Sequence, residues 1–262
     1  MRLVWITDPH FNFLPPLGAH AFGQYVAKET ECDAVVLTGD IAESKSLEKA
    51  SEGFAEGFGK PVYFVLGNHD YYGGSIERTR GIARKLGGNL RWLHKTGMIQ
   101  LSSETVLVGH EGWYDAQYGD PMGSRVWMSD FDLIADLRGL TRQELVTKLL
   151  HLGREAAREA RIVLGEALAQ YPKILMATHY PPFHEACWHE GSTSNKEWLP
   201  WFTCKAMGDM LLASAEEHPD TEILVLCGHT HSPGKVAIRQ NLKVWTDGAQ
   251  YGAPEIAHVF EF

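Results

Sequence analysis

Residues 4–11 read "VWITDPHF", an apolar run that ends against a carboxylate and an imidazole. Val4, Trp5 and Ile6 have the β-branched and aromatic character of a strand interior. Pro9 fixes its own φ, offers no N–H and pushes Asp8 toward an extended conformation. In extended chain, residues i and i+2 point to one side. Asp8 and His10 are therefore expected to aim at one point. A strand-end turn explains Pro9, but not two ligand-type residues flanking it.

The same arrangement recurs along the chain. Five apolar runs stand out: "LVWIT" (3–7), "AVVLT" (34–38), "VYFVL" (62–66), "ILMAT" (174–178) and "ILVLC" (223–227). None alternates with polar residues, as expected for strands covered on both faces. Helical patterns over 19–31, 46–58 and 75–86 separate the early runs, which predicts βαβ units with right-handed crossovers. The longest helix is expected from the Thr141/Glu144 capping box to about Gln170, ended by Pro172. Another covers 205–217. "KVAIR" (235–239) and "LKVWT" (242–246) predict a hairpin turning at Gln240-Asn241, with a last strand in "IAHVFEF" (256–262).

The residues just past each run carry the chemistry. They are Asp8-Pro9-His10, Gly39-Asp40, Gly67-Asn68-His69-Asp70, His179, and Gly228-His229-Thr230-His231. Taken singly, each has a bland reading: a turn, an Asx loop, a hydrogen-bonded structural histidine. Taken as an ordered set at five strand ends, they predict one site, because ligands of open α/β sheets bind beyond the carboxyl ends of the strands. Mixed Asp, Asn and His suit transition-metal ions such as Mn, Fe or Zn better than Ca²⁺. Cys227 is the one cysteine near such a position, so a thiolate zinc site is not expected. Two carboxylates, one amide and four imidazoles exceed what one ion uses. Two divalent or trivalent ions about 3.5–4 Å apart, sharing a carboxylate, would use them. Two divalent ions against two carboxylates leave an excess positive charge, which complements a phosphate ester.

Bulk properties bound the rest. With 262 residues and 44% hydrophobic content, the chain supports one large domain, 1–262, and no linker divides it. A net charge of −9 argues against an extended nucleic-acid surface. No apolar stretch approaches the roughly 20 residues of a membrane span. The opening "MRLVWITD" is not read as a signal peptide, and the four cysteines lack CxxC spacing. A soluble, cytoplasmic protein with reduced thiols is expected; the oligomeric state stays open.

The order D-x-H, G-D, G-N-H-D, H, G-H-x-H, running from Asp8 to His231, resembles the calcineurin-like metallophosphoesterase superfamily. The resemblance implies an α/β fold of two mixed β-sheets in a four-layer sandwich flanked by helices. It places one ion on Asp8, His10, Asp40 and His231, and the other on Asp40, Asn68, His179 and His229, with Asp40 bridging. It gives His69 the role of protonating the leaving oxygen or stabilising phosphate charge, and Asp70 that of orienting His69. The implied reaction is attack on phosphorus by a water, or hydroxide, that bridges the ions, on a small phosphomonoester or phosphodiester, nucleotides included. The chain departs from the protein phosphatase branch, which carries GNHE and GDxVDRG: Asp70 ends this motif, and "GDIAESKS" has no arginine. "GNHD", "HYPP" and "GHTH" are closer to prokaryotic-type phosphodiesterases, and no nuclease-type block is present. Two other readings stay open: a non-catalytic metal-binding scaffold of this fold, and a dimetal hydrolase of a non-phosphate bond.

Substrate-shaping residues are less defined. Residues 112–170 are expected to form a cap insertion. Trp188, Trp198 and Trp201 pack a lid or stack a base, with packing favoured. His110, His184 and His189 are candidate pocket residues, and Arg125 is a candidate phosphate contact. Asp130, Asp132 and Asp136 read as a solvated face or helix cap.

Overall fold

The computed structural model describes all residues, 1–262. The strands are β1 (Arg2–Ile6), β2 (Ala34–Thr38), β3 (Val62–Val65), β4 (Leu90–Trp92), β5 (Ile99–Gln100), β6 (Thr105–Gly109), β7 (Lys173–Ala177), β8 (Trp188–His189), β9 (Ser192–Thr193), β10 (Glu222–Cys227), β11 (Gly234–Arg239), β12 (Leu242–Thr246) and β13 (His258–Glu261). The helices are α1 (Gly18–Thr30), α2 (Leu47–Phe58), α3 (Ile76–Lys85), α4 (Leu93–Thr96), α5 (Asp130–Leu133), α6 (Arg142–Leu168), α7 (Leu199–Phe202) and α8 (Lys205–Glu217).

The strands form two large mixed sheets and one short hairpin. The first sheet has the order β13-β1-β2-β3-β4 and the second β11-β12-β10-β7-β6-β5, while β8 and β9 pair with each other. β1, β2 and β3 run parallel, as do β6, β7 and β10, so each sheet presents several carboxyl ends at one edge. The absence of alternation has a direct cause, because both faces of each central strand are buried. Leu3, Trp5, Val36, Val65, Leu107, Leu175 and Leu226 meet between the sheets. Their neighbours Val4, Ile6, Val35, Leu37, Phe64, Val106 and Met176 pack outward into the larger core that the helices complete. No helix is long and apolar enough to cross a membrane.

The segment 112–170, expected as a cap, divides in two. Residues 142–168 are α6, the crossover between parallel strands β6 and β7, and it begins with the expected Thr141/Glu144 capping box. Leu145, Leu149, Leu152, Ala156, Ala160 and Leu164 belong to the main core, because an amphipathic stripe of this length needs a sheet face to bury it. The irregular stretch before α6 carries α5. β6 itself escaped the strand reading, because no metal-ligand motif of the series comes after "TVLVG".

The end of β6 instead anchors an ion network. Glu111 is fully buried, 3.0 Å from Arg80 and 3.1 Å from His94 Nδ1. Glu159 on α6 lies 3.1 Å from His110 Nε2 and 3.5 Å from His94 Nε2. His110 Nδ1 accepts the Gly112 N–H (3.0 Å), so its Nε2 carries the proton toward Glu159. Arg80 supplies positive charge, and the cluster is a salt-bridge network rather than a cation site. Burial alone would lower His94, but Glu111 outweighs it and the His94 pKa is raised. A raised imidazole contributes stability below its unfolded value near 6.5, lost as pH climbs through the folded value. His94→Gln should therefore cost about 1–3 kcal/mol near pH 6 and less at pH 9. Thermal unfolding of both proteins across that range checks it; a pH-independent difference would show that His94 is not charged in the fold.

Candidate metal centre

The centre lies where the carboxyl ends of the two sheets meet. The first sheet supplies Asp8 and His10 after β1, Asp40 after β2, and Asn68 after β3. The second supplies His179 after β7, and His229 and His231 after β10. All seven side chains expected as ligands converge.

The backbone turns sharply to bring them in. Asp8, His10, Asp40, His229 and His231 have φ values of 46°, 44°, 51°, 70° and 53°, and they make up five of the nine left-handed non-glycine residues in the chain. Such residues cost roughly 1–2 kcal/mol each, and their concentration at one place marks a site that the surrounding fold holds under strain. Asp8 thus departs from the extended conformation expected before Pro9. Hydrogen bonds from His10 N to Asp40 O (3.0 Å) and from Phe11 N to Ile41 O (2.8 Å) bind its turn to the loop after β2. Gly228 is required here, because a Cβ would collide with the Asp8 carboxylate and the Thr7 hydroxyl.

The donor atoms form two groups. In the first, donor atoms of Asp8, His10, Asp40 and His231 all lie within 4.8 Å of one another. His10 Nε2 is 3.1 Å from His231 Nε2 and 3.8 Å from Asp40 Oδ2, and His231 Nε2 is 3.6 Å from Asp8 Oδ1. In the second, Asn68 Oδ1 is 3.0 Å from His179 Nε2 and 2.9 Å from His229 Nδ1. Asp40 Oδ1 is 3.4 Å from His179 Nε2. Asp40 therefore turns one oxygen toward each group.

Tautomers test whether this arrangement fits cations. His179 Nδ1–H donates to Thr38 O (2.8 Å), and His229 Nε2–H donates to Trp201 O (3.1 Å). Burial lowers both imidazoles, His229 to about 3, so each carries one proton and its other nitrogen is bare. Those bare nitrogens face the Asn68 carbonyl oxygen. Three acceptors pointed at one another repel unless a cation stands among them, and backbone carbonyls fixing imidazole tautomers are typical of metal sites. The carboxylates point the same way. Burial raises Asp8 to about 7 and Asp40 well above its usual range, because no lysine or arginine pairs with either.

Asn68 is oriented from outside the centre. Its Nδ2 donates to Asp130 Oδ1 (3.0 Å), leaving Oδ1 to face the histidines. Asp130 also accepts from the Tyr72 and Tyr114 hydroxyls and has no exposed surface. It is not the solvated or capping acid expected, since α5 turns it into the core. Sequence held no signal for this, because Asn68 and Tyr72 lie 62 and 58 residues from Asp130. Asp130→Ala should weaken metal binding at the Asn68 group by about 10–100-fold. Titration of metal-stripped protein measures this, and unchanged affinity would remove Asp130 from the orienting role.

His69 and Asp70 do not interact as expected. Asp70 Oδ1 accepts Ala42 N–H (2.9 Å) and Oδ2 accepts Gly67 N–H (2.7 Å), so it ties together the loops after β2 and β3 and makes no hydrogen bond to the His69 ring. That ring packs on Tyr72 and His10, with Nε2 3.9 Å from Asp40 Oδ2. Burial lowers it to about 4.

The other candidates lie outside the centre. Trp201 is in the core, donating to Ser124 Oγ, and Trp198 stacks on Phe202. Trp188 sits against Gly234. His189 faces Thr230 O, His184 pairs with Glu185, and Arg125 pairs with Glu197 at the surface. Asp132 accepts from Trp127, and Asp136 receives the Ile76 N–H at the start of α3. Tyr251, which drew no attention in the sequence, stands beside His10 and His231.

Comparison with known proteins agrees with this geometry. Residues 1–233 match the family model described as calcineurin-like phosphoesterase. A search of curated proteins gives no match. Among solved structures, a phosphopantetheinyl hydrolase from Mycobacterium tuberculosis superposes with a TM-score of 0.71 at 15% identity, covering 95% of this chain and 89% of the other. A dimetal phosphatase from Danio rerio gives 0.57 at 13% identity, covering 95% and 87%. GAP50, the anchor in the inner membrane complex of Plasmodium, gives 0.51 at 15% identity, covering 95% and 71%. At these identities the superpositions speak for the fold alone. The family match over residues 1–233, joined to the converged donor set, makes the chain a member of the calcineurin-like phosphoesterases, metal-dependent enzymes that hydrolyse phosphate esters.

Proposed function

We propose that the centre holds two transition-metal ions, Mn, Fe or Zn, and hydrolyses a small phosphomonoester or phosphodiester. Asp8, His10, Asp40 and His231 would hold one ion, and Asp40, Asn68, His179 and His229 the other. What the ion pair supplies when bound is Lewis acidity and positive charge, toward the phosphate oxygens and the attacking water. The observation that carries this reading is the acceptor-on-acceptor meeting of Asn68 Oδ1 with two bare imidazole nitrogens.

The chain's own residues do the rest. Asp40 shares its two oxygens between the groups and sets their spacing. Asp130 and the Thr38 and Trp201 carbonyls hold the amide and imidazoles in their binding orientations. His69, partly exposed beside Asp40, offers an N–H to the phosphate or leaving oxygen. Four buried, unpaired cysteines suit a reducing compartment such as the cytoplasm.

Because the fold is also that of a protein described as an anchor, catalysis needs its own test. EDTA-stripped protein should not hydrolyse p-nitrophenyl phosphate or bis-p-nitrophenyl phosphate. Adding back Mn²⁺, Fe²⁺ or Zn²⁺ should restore turnover at two ions per chain, and the preferred ester separates monoesterase from diesterase. Two ions bound with neither ester cleaved would favour the scaffold.

A further inference from the structure

The centre is open on one side. His179, Asn68 and Asp40 are closed off, whereas His231 and His69 keep 24% and 16% of their side chains exposed. A substrate reaches the ions past these two. Tyr251 stands on that path, in a turn closed by Ala253 N–H to Gln250 O (3.1 Å) with Gly252 at φ 77°. Its ring lies 4.5 Å from His10, 5.2 Å from His231 and 6.1 Å from His69. Phe13, three residues beyond His10, stands 4.7 Å from Tyr251.

These rings pack against His10, yet Tyr251 is 48% and Phe13 52% exposed. Covering His10 accounts for part of each ring and leaves the rest in water. Adjacent exposed aromatics at the mouth of a buried polar site mark a recognition surface. Beside His69 and His231 the rim presents the Tyr251 ring.

We propose that Tyr251 and Phe13 form an aromatic platform for the leaving group, and that the preferred substrates are phosphate esters with a planar aromatic ring near the ester oxygen, whether aryl or nucleoside. This rests on the phosphoesterase reading and on His69 lying at the leaving-group side. Tyr251 falls outside the residues matched to the family, and Phe13 lies within them without being a member of either donor group. The substrate's ring stacks on Tyr251 while the phosphate sits on the ions.

The test uses Mn²⁺-loaded wild type, Tyr251→Ala, Tyr251→Phe and Phe13→Ala. Calorimetry compares phenylphosphonate with methylphosphonate, neither of which is hydrolysed. Wild type should bind phenylphosphonate roughly 3–10-fold tighter, a ratio that collapses in Tyr251→Ala, shrinks in Phe13→Ala and survives in Tyr251→Phe. The kcat/KM ratio of phenyl phosphate over β-glycerophosphate should fall by the same factor, through KM. Phenyl phosphate against thymidine 5′-monophosphate then separates an aryl from a nucleoside source. Equal binding of the two phosphonates by wild type would overturn the platform, as would equal losses for both in Tyr251→Ala. Selective phenylphosphonate binding without hydrolysis of any ester would sink the catalytic reading and leave the platform standing.

Discussion

Asp40→Ala should abolish hydrolysis and remove at least one of the two ions. Asp40 Oδ1 lies 3.4 Å from His179 Nε2, and Oδ2 lies 3.8 Å from His10 Nε2. Without this carboxylate the second group keeps three neutral donors, Asn68, His179 and His229, and loses both its one anion and its link to the first group. The first group keeps Asp8 as its one acid. Metal polarisation accounts for several kcal/mol of transition-state stabilisation, so kcat/KM for p-nitrophenyl phosphate should fall about 10³-fold or more. Misfolding would be a trivial cause, and the metal-free state excludes it. Burial raises Asp40 because its charge is uncompensated there. Its removal relieves that charge but leaves the His69 N–H, which it accepts at 2.8 Å, unpaired, so the unfolding temperature of EDTA-treated protein should change by only a few degrees and the variant should still unfold cooperatively. Metal analysis showing two ions in the variant would refute the bridge.

His69→Ala should lower kcat by about 10²–10⁴-fold while both ions stay bound. His69 is absent from both donor groups, and its Nε2 sits 3.9 Å from Asp40 at the open side. How it acts is decided by a second variant. With its pKa lowered to about 4 by burial, the ring is neutral in the free protein near pH 7. A neutral ring donates a hydrogen bond, and it becomes an acid only when a bound phosphate's negative charge raises its pKa. His69→Gln keeps a donor of similar reach but has no proton to give. Activity within about tenfold of wild type would make His69 a donor to the phosphate. A Gln variant as inactive as Ala would make it the leaving group's acid. Full activity in both would leave His69 without a catalytic part.

The fold was legible to the extent that it is written in local pattern. "AVVLT" became β2 at its expected limits, and "LKVWT" became β12. The capping box opened the long helix where Thr141 and Glu144 placed it. The convergence of the candidate ligands was legible for a related reason. A side chain two residues beyond a buried strand has one place to go, the edge where parallel strands end, so residue type and position sufficed for Asp8, Asp40, His179 and His229. Within the stretch 112–170, expected as a cap, the pattern of 142–168 shows that a helix is amphipathic, not which sheet will take its apolar stripe.

Local sequence therefore determined which chemical groups stand at the five strand ends, because strand propensity and turn residues act over a few positions. Tertiary structure alone decided how those groups are held. The left-handed turns at Asp8 and His231, the carbonyls that set the tautomers of His179 and His229, the amides that claim Asp70, the burial of Asp130 behind Asn68 and the arrival of Tyr251 over His10 all depend on contacts between distant segments. Hydrogen-bond partners and desolvation are properties of the assembled surroundings, and no stretch of chain carries its surroundings with it.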